Sequence, residues 1–424
     1  MEHIATRVSL AVLFAAAAMV APPAGADVQP GDFITKANVD KVKGLISPGV
    51  QWVVEHGMTM KIVPYKKVEW DKAYREATEK YSGQVKLAPD GRSIIGHVAG
   101  QPFPNIDPND PQIALKIMWN YDYKPYWTDD WVTKLNDADA GQITGSGPMQ
   151  TERHFLLEVQ RDMWYTGRLY VDPKPEIPNN KDGVRYKESM HPILEPYDLK
   201  GVGYTSNRYL SPDRQDDTWL YLPSLRRVRR LSSSQRSDAL FAQDTDLDSY
   251  NGYMGQIPWH EWKYLGEKEM LASFHSEAHP VKYCEPPGDF IFCDNWEKRK
   301  VYVVEGVSRL PQYAYGKRLL FLDKESYLIA YSDVFDRAGQ LWKVVMNQWS
   351  FKRKATPSLG EEYPDEMPFQ LSMNTVDLQL SHATRSAVPA LSAPTEQGWY
   401  FNKGADEGSV EEWFNIADLV NRGH

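Results

Sequence analysis

Residues 217–349 form a succession of short strand-like runs rich in Trp, Tyr, Val and Leu, and this succession constrains the fold more than any other feature of the chain. The runs are YLPSLRRVRRL (221–231), VYVVEGV (301–307), KRLLFLDKESYLIAYSDVFD (317–336) and LWKVVMNQW (341–349). β-Branched and aromatic residues favour strands, and the polar connections at 323–326 and 336–339 favour hairpins. The pattern therefore predicts an antiparallel meander of neighbouring strands.

The last of these runs is apolar on both of its predicted faces. Trp342, Val344 and Met346 alternate on one face, and Leu341 and Val345 lie on the other. A sheet with one wet face alternates apolar and polar residues, so two apolar faces require protein cover on both sides or a hydrophobic ligand on one. The pattern alone leaves both alternatives open.

Two parts of the chain together resemble the Gram-negative periplasmic family DUF1329. The phrase GQPFPNIDPNDPQIALKIMWNY (100–121) precedes the strand-like runs in the same order as in that family. The family is grouped with LolA/LolB-like lipoprotein-sorting proteins, so the resemblance implies an α+β fold with a curved antiparallel β-sheet, or incomplete β-barrel. The apolar hollow of such a sheet is partly closed by helices and receives acyl chains. With this implication, Trp342, Val344 and Met346 are predicted to line the hollow and bind the ligand.

The densest basic cluster lies on one of the strand-like runs and contains Arg226, Arg227, Arg229 and Arg230. On a strand, Arg226 and Arg230 share one face and the other two point to the opposite face. The planar guanidinium group suits phosphate and carboxylate groups. We therefore predict that Arg226 and Arg230 bind a lipid headgroup or an acidic partner, with ion pairs to neighbouring aspartates as the alternative.

The N-terminus predicts export. An apolar run at 8–20 follows Arg7 and precedes Ala24, Gly25 and Ala26, a pattern typical of a signal peptide over residues 1–26 that is cleaved after Ala26. The run is shorter than the roughly 20 residues needed to cross a bilayer. The expected location is the periplasm, with peripheral attachment to the outer membrane left open.

Cys284 and Cys293 are the only cysteines, and they flank a Pro-Pro-Gly-Asp turn signal. An exported protein with two cysteines usually joins them. We predict a disulfide that closes a hairpin.

The mature chain, 27–424, is predicted to form a single DUF1329-like domain. Its composition separates a helix- and loop-rich part at 27–150, an antiparallel sheet at 151–382, and a C-terminal tail at 383–424 with a short helix. Helices are predicted at 35–45 and 70–81, and a capping box that begins at Ser409 predicts another at 410–420.

Two segments resemble metal-binding motifs but depart from the patterns that those motifs require. The segment DTDLDSYNG (244–252) departs from an EF-hand, because Ser249 stands at the glycine position and Gly255 at the closing glutamate position. His275 and His279 lack the spacing of a zincin helix. We predict no metal and no cofactor.

The remaining chemistry predicts a binding protein. The net charge of −9 argues against nucleic acid as a partner. The sequence has no Gly-x-Ser-x-Gly elbow, no phosphate-binding Gly-rich loop and no Cys-x-x-Cys motif. The predicted function is a non-enzymatic periplasmic carrier of lipid or another hydrophobic molecule, and the resemblance implies an RND-type membrane transporter or an outer-membrane protein as partner. A secreted hydrolase acting on a hydrophobic or carbohydrate substrate is the alternative, because its carboxylates can converge from distant strands.

Overall fold

One large curved antiparallel sheet dominates the computed structural model, which describes residues 28–126, 129–232, 235–405, 407 and 410–423. The strands are β1 (Phe33–Ile34), β2 (Met60–Ile62), β3 (Lys86–Leu87), β4 (Ile94–Ile95), β5 (Asp130–Gln142), β6 (Gln150–Trp164), β7 (Val184–Met190), β8 (Ile193–Glu195), β9 (Gly203–Tyr209), β10 (Asp217–Leu222), β11 (Arg227–Leu231), β12 (His260–Ala272), β13 (Asp294–Ser308), β14 (Lys317–Asp323), β15 (Ile329–Phe335), β16 (Leu341–Lys352), β17 (Met367–Asp377), β18 (His382–Ala387) and β19 (Trp399–Phe401). The α-helices are α1 (Pro48–Glu55), α2 (Lys72–Tyr81), α3 (Ile113–Asp122) and α4 (Ile416–Arg422).

The strand order explains why the sheet is an incomplete barrel. Neighbours pair in the order β11, β10, β9, β7, β6, β5, β18, β17, β16, β15, β14, β13 and β12, all antiparallel. β8 also pairs with β6, β19 pairs with β5, and β2 joins the sheet parallel to β13. β11 and β12 stand at the two ends of this order, so the sheet does not close. Both the meander and the curved, unclosed sheet were predicted, and both are confirmed.

The two faces of the sheet are covered differently where β13 to β16 pass. One row of paired residues contains Val303, Phe321, Tyr331 and Met346, and the next row, on the opposite face, contains Val304, Leu320 and Val345. Helix α1 packs on the first face so closely that a Cβ atom at Gly49 would lie 2.8 Å from Cβ of Val344. Residues of α3 share a core cluster with Val304 and Leu320 on the second face. Protein therefore covers both apolar faces of this part of the sheet.

The helix boundaries differ from the predicted ones in ways that local chemistry explains. α2 falls within the predicted 70–81 segment, whereas the helix predicted at 35–45 is reduced to a 3-10 turn at Val39–Val42. α1 was not predicted, although Ser47 caps it by accepting a hydrogen bond of 3.2 Å from the Val50 amide and Pro48 stands at its first position. None of the helices in the described ranges is long and apolar enough to cross a membrane.

Towards both ends of the chain the strands extend beyond the predicted sheet boundaries, and two predicted features lie outside the described residues. β5 starts well before residue 151, where the sheet was predicted to begin, and β18 and β19 show that the C-terminal part contributes strands. The predicted signal peptide and the capping residue Ser409 lie outside the described residues. The final helix is α4, which follows a 3-10 turn at Glu411–Phe414.

The predicted disulfide is confirmed. Cys284 and Cys293 are bonded, with 4.7 Å between their Cα atoms. The Cys284 amide donates to the Ile291 carbonyl at 3.0 Å, and the Cys293 amide donates to the Lys282 carbonyl at 2.9 Å. The bond therefore closes a hairpin, as the Pro-Pro-Gly-Asp signal indicated.

Candidate functional site

A cavity of about 440 Å³ lies on the face of the sheet opposite α1. Its floor comes from β5, β6, β17 and β18, and its sides come from β8 to β11. An irregular stretch at 235–250, called here the cover segment, runs over it and contributes Leu240, Phe241 and Leu247. The volume falls in the range of about 300–1,000 Å³ typical of small-molecule pockets.

The register of four strands explains why the floor leaves space. Thr375 of β17 pairs with Thr384 of β18, and Ser386 of β18 pairs with Ala138 of β5. Ala138 in turn pairs with Phe155 of β6. Because directly opposite residues of an antiparallel pair share a face, these mostly small side chains form one continuous surface. A surface of Ala, Ser and Thr fills less volume than the Val, Leu and Tyr of the neighbouring core, so a gap remains beneath the cover segment.

The chemistry of the lining is largely apolar with a few polar groups. Among the described lining residues, Asp137 and Asp238 are the charged ones. Asp137 accepts a hydrogen bond of 2.8 Å from the Leu391 amide, and burial raises the pKa of its carboxyl to about 6. The hydroxyls of Thr245 and Thr375 are buried and have no hydrogen-bond partner within the described part of the chain. A cavity with a mostly apolar surface and hydroxyl, amide and carboxyl groups among its lining suits a hydrophobic molecule that also carries some polar atoms.

Buried ion pairs join Arg236, near the start of the cover segment, to Asp248 near its end and to Asp216 outside it. Arg236 contacts Asp216 at 3.0 Å and Asp248 at 2.5 Å, and Arg208 of β9 contacts Asp216 at 2.8 Å. Burial alone would raise the pKa of Asp216, but the two guanidinium groups hold it below its usual range. Two arginines facing two aspartates balance in charge, so this cluster acts as a tether between the cover segment and the sheet.

A second tether joins Asp244 of the cover segment to β16 and β18. Nδ1 of His382 lies 2.8 Å from Oδ2 of Asp244, and the Thr384 hydroxyl donates to the same carboxylate at 2.8 Å. Lys343 donates to the Asp244 carbonyl at 2.7 Å. Hydrogen bonding to Asp244 raises the pKa of His382. The part of the cover segment between these tethers includes Leu240 and Phe241, which line the cavity while remaining partly exposed to solvent.

A small polar chamber of about 60 Å³ adjoins the cavity and shares lining residues with it. Glu188 lines it and accepts a hydrogen bond of 2.7 Å from the Tyr204 hydroxyl, and burial raises the pKa of the Glu188 carboxyl. Asp162 lies directly opposite Glu188 across the β6–β7 pair. Burial also raises the pKa of the Asp162 carboxyl. Only Glu188 of the two reaches the chamber, so these carboxyl groups do not converge on a shared open site.

The structure places the predicted ligand-binding residues of β16 away from the cavity. Val344 and Met346 are fully buried on the face that α1 covers, and Trp342 donates from its indole Nε1 to Asp377 at 2.7 Å. None of the three lines the cavity. On β16 it is the opposite face, carrying Val345, that continues into the cavity floor, since Val345 pairs with the lining residue Thr375. The ligand-binding role of Trp342, Val344 and Met346 stays a prediction.

The two predicted arginines also lie apart from the cavity lining. Arg226 is exposed at the β10–β11 turn with a left-handed φ of 48°, and Arg230 is paired with Asp217. Their ligand-binding role likewise stays a prediction. β11 is nevertheless next to the cavity, because its last residue, Leu231, lines it.

The side chains considered for metal binding have protein partners. Asp246 accepts hydrogen bonds from Ser249 at 2.6 Å and from Tyr315 at 2.5 Å, while Asp244 and Asp248 form the two tethers. His275 contacts Glu297 at 2.7 Å. Within the ranges that the structure describes, no group of three or more His, Cys, Asp or Glu side chains is arranged to hold a metal ion.

The sequence analysis missed most of the cavity lining, because the floor residues do not form an alternating pattern of apolar side chains. Ala138, Thr375, Thr384 and Ser386 are small or polar, and such residues on strands are usually taken as solvent-facing. In the structure Val376 and the adjacent Thr375 are equally buried, so the burial of Thr375 follows from the fold and not from a periodic sequence pattern.

Comparison with known proteins identifies relatives along most of the chain. An uncharacterized protein of Pseudomonas aeruginosa, PA3922, is 25% identical over 336 residues, which cover 75% of this chain and 69% of that protein. Among solved structures, a putative outer membrane lipoprotein-sorting protein domain from Vibrio parahaemolyticus is similar with a TM-score of 0.49 and 17% identity, covering 73% of this chain and 100% of that one. A DUF1329 family protein from Desulfovibrio piger has a TM-score of 0.45 and 14% identity, covering 72% and 95% of the two chains. The LolA superfamily protein NE2245 from Nitrosomonas europaea has a TM-score of 0.36 and 14% identity, covering 65% and 90%.

The resemblance found in the sequence is also confirmed at the level of the family. The model of the family described as "Protein of unknown function (DUF1329)" matches residues 33–408, which is most of the chain. The match includes both the 100–121 phrase and the strand-like runs. The chain therefore belongs to the DUF1329 family.

Proposed function

We propose that this protein is a carrier that binds a hydrophobic molecule in the cavity beneath the cover segment and releases it unchanged. The observation that carries the proposal is the cavity itself, which is partly enclosed by the sheet and the cover segment and has a mainly apolar surface. Each methylene group buried there contributes about 0.8 kcal/mol to binding. A molecule with an alkyl chain would therefore gain affinity from the cavity without forming any specific polar contact.

The way the cover segment is held supports exchange of the ligand. The cover segment is fixed by the Arg236–Asp216 and His382–Asp244 contacts, whereas Ala239 between them is exposed. Movement of this middle part, with the tethers intact, would open the cavity without disturbing the sheet. Release then requires an acceptor that binds the open form better than the closed form.

The setting we propose is the periplasm, reached through cleavage of a signal peptide after Ala26, with the ligand passed to or from an RND-type transporter or an outer-membrane protein. Membership of DUF1329 and the apolar run at the N-terminus support this setting. Lipid or another hydrophobic small molecule is the cargo that the cavity fits.

A hydrolase is the competing function, and the Asp162–Glu188 pair is the observation that bears on it. Glycosidase carboxyl groups stand on either side of the scissile bond with the substrate between them. Here the two carboxyl groups are neighbours on adjacent strands of one wall, and Asp162 does not line the cavity. The Asp162–Glu188 pair therefore lacks the arrangement of a glycosidase, and the carboxyl groups that line the cavity itself are those of Asp137 and Asp238.

The test is native mass spectrometry of protein purified from its own periplasm, followed by extraction and identification of what dissociates from it. We expect a bound amphiphile that is recovered chemically intact and is absent from the Ala138→Trp variant, whose cavity is filled. Protein that carries no ligand, and takes none up from a periplasmic lipid extract, would contradict the proposal. Recovery of a cleaved product that becomes intact in Glu188→Gln would favour the hydrolase.

A further inference from the structure

We propose that Arg227 and Arg229 on the edge strand β11 bind the anionic headgroup of the amphiphile whose apolar part enters the cavity. This inference rests on the proposed carrier function and adds the chemical class of the ligand. It also selects a different pair of arginines from the one that the sequence pattern favoured, because the strand register decides which pair faces the cavity.

The register of the β10–β11 hairpin supplies the first step. Arg229 lies directly opposite Leu220, and Leu231 lies directly opposite Thr218. Leu220 and Leu231 line the cavity, and Thr218 lines the adjoining polar chamber. Residues that face each other across an antiparallel pair share a face, and residues two apart on a strand share a face. Arg229 therefore belongs to the cavity face, at its rim.

The same alternation assigns the other arginines. Arg227 is two residues from Arg229 and shares its face, opposite Leu222. Val228 and Arg230 belong to the far face, where Val228 lies opposite the buried Tyr221. Arg230 is held there by Asp217.

The second step is that the positive charges of Arg227 and Arg229 are not neutralised by nearby carboxylates of the described residues. Arg227 and Arg229 are exposed, and neither has a carboxylate within ion-pair distance among the residues that the structure describes. The protein carries a net charge of −9, and these two arginines place a local positive charge at the rim of the cavity. Among the described residues that line the cavity, Asp137 and Asp238 are charged and none is cationic. An anionic group would be repelled from the interior and attracted to the rim.

The geometry of the guanidinium group then defines the ligand class. Its planar fork binds phosphate and carboxylate oxygens through paired hydrogen bonds. A molecule that places such a group at the rim and an alkyl chain in the cavity satisfies both surfaces. Charged side chains on an edge strand also prevent pairing with other sheets, but that role does not depend on which face they occupy.

The experiment compares two double variants that each remove two positive charges from the same strand and turn. Arg227→Gln/Arg229→Gln removes the cavity-facing pair, and Arg226→Gln/Arg230→Gln is the matched control. Binding of dodecyl phosphate and of dodecanol, which share one alkyl chain, is measured for both variants and for wild type by displacement of a fluorescent acyl probe. Melting temperatures confirm that these exposed changes leave the fold intact.

We expect the cavity-facing variant to bind dodecyl phosphate about tenfold more weakly, since charged hydrogen bonds are lost. Its affinity for dodecanol should stay unchanged, and the control variant should bind both molecules as wild type does. Inorganic phosphate should not displace the probe. If phosphate alone binds the arginines as well as dodecyl phosphate does, the site recognises free phosphate and the amphiphile assignment is wrong.

Other outcomes separate this inference from the proposed function. Equal losses in the two double variants, or an equal loss for dodecanol, would overturn the role of Arg227 and Arg229 while leaving the carrier intact. Failure of wild type to bind both dodecyl compounds would overturn the carrier and the inference together.

Discussion

Nδ1 of His382 lies 2.8 Å from Oδ2 of Asp244, and this contact joins β18 to the cover segment. Glu152 lies 3.7 Å from the other ring nitrogen, and Asp377 adds a further negative charge nearby. The hydrogen bond to Asp244 raises the pKa of His382. The stabilisation from the charged pair is therefore complete below the ordinary histidine pKa of 6.5 and is lost as the pH rises through the raised pKa of the folded state.

We expect this tether to make the cover segment open more readily at higher pH. Amide exchange of residues 238–247, corrected for intrinsic rates, should show more protection at about pH 6 than at about pH 8 in wild type. In His382→Gln the difference should disappear, whereas His154→Gln, which changes a half-exposed histidine outside the cover segment, should behave as wild type. An unchanged pH dependence in His382→Gln would show that another group controls the segment.

A second pH-dependent group anchors α1 to the sheet. Oδ1 of Asp333 accepts a hydrogen bond of 2.8 Å from the Ser47 hydroxyl, and Oδ2 accepts one of 3.2 Å from the Gly49 amide. Burial raises the pKa of Asp333 from 3.8 to about 6. Between these values the folded protein holds a proton that the unfolded chain has lost, so the free energy of unfolding falls as the pH rises.

Replacement of Asp333 by Asn should remove this fall while keeping an acceptor and a donor in place. We expect Asp333→Asn to gain stability over wild type at about pH 8 and to gain less at about pH 5, as measured by urea unfolding. Asp333→Ala is the control, because it loses both hydrogen bonds and should be less stable at both pH values. A constant difference between Asp333→Asn and wild type would mean that Asp333 does not titrate in this range.

The disulfide should stabilise the protein by restricting the unfolded chain. Because the bond closes a short loop, we expect Cys284→Ser/Cys293→Ser to lower the free energy of unfolding by about 2–3 kcal/mol. Denaturant unfolding of the variant and of wild type measures this, with intact mass before and after reduction confirming the bond. Two free thiols in protein purified from the periplasm would contradict the assignment.

Export predicts a defined mature N-terminus. If the signal peptide ends at Ala26, the mass of periplasmic protein should correspond to a chain that begins at Asp27. Replacement of Ala24 and Ala26 by bulky residues should leave the precursor uncleaved in the membrane fraction. A periplasmic protein that retains Met1 would contradict the predicted cleavage.

The meander could be predicted from the sequence because its strands are rich in apolar, β-branched and aromatic residues. β14 to β16 are largely apolar on both faces and are separated by short polar turns. The sequence therefore predicts both the strands and the hairpins. β5 could not be predicted in the same way. Its sequence DWVTKLNDADAGQ has no apolar alternation, because some of its residues face the cavity instead of a packed core.

The same cause explains why the sequence did not point to the residues that line the cavity. Apolar side chains on both faces of β16 left protein cover and a ligand as alternatives. In the structure α1 packs against Val344 on one face, and the other face, which carries Val345, continues into the cavity floor at Thr375. The cavity forms where the side chains of the sheet are small, as at Ala138 and Ser386. Small residues do not produce the apolar alternation by which a buried strand face is predicted. Which arginines face it depended on the hairpin register, which the sequence alone did not fix.

The central claim is that the space above Ala138 binds a hydrophobic molecule while the space around Val344 is packed core. The most direct measurement is titration of delipidated protein with a fluorescent fatty-acyl probe, combined with urea unfolding, for wild type, Ala138→Trp and Val344→Trp. We predict that wild type binds the probe, that Ala138→Trp abolishes binding with little change in stability, and that Val344→Trp loses about 1–3 kcal/mol or more of stability through overpacking while its folded fraction still binds. Absence of probe binding by wild type, together with strong destabilisation by Ala138→Trp, would show that the cavity is filled core and would contradict the account.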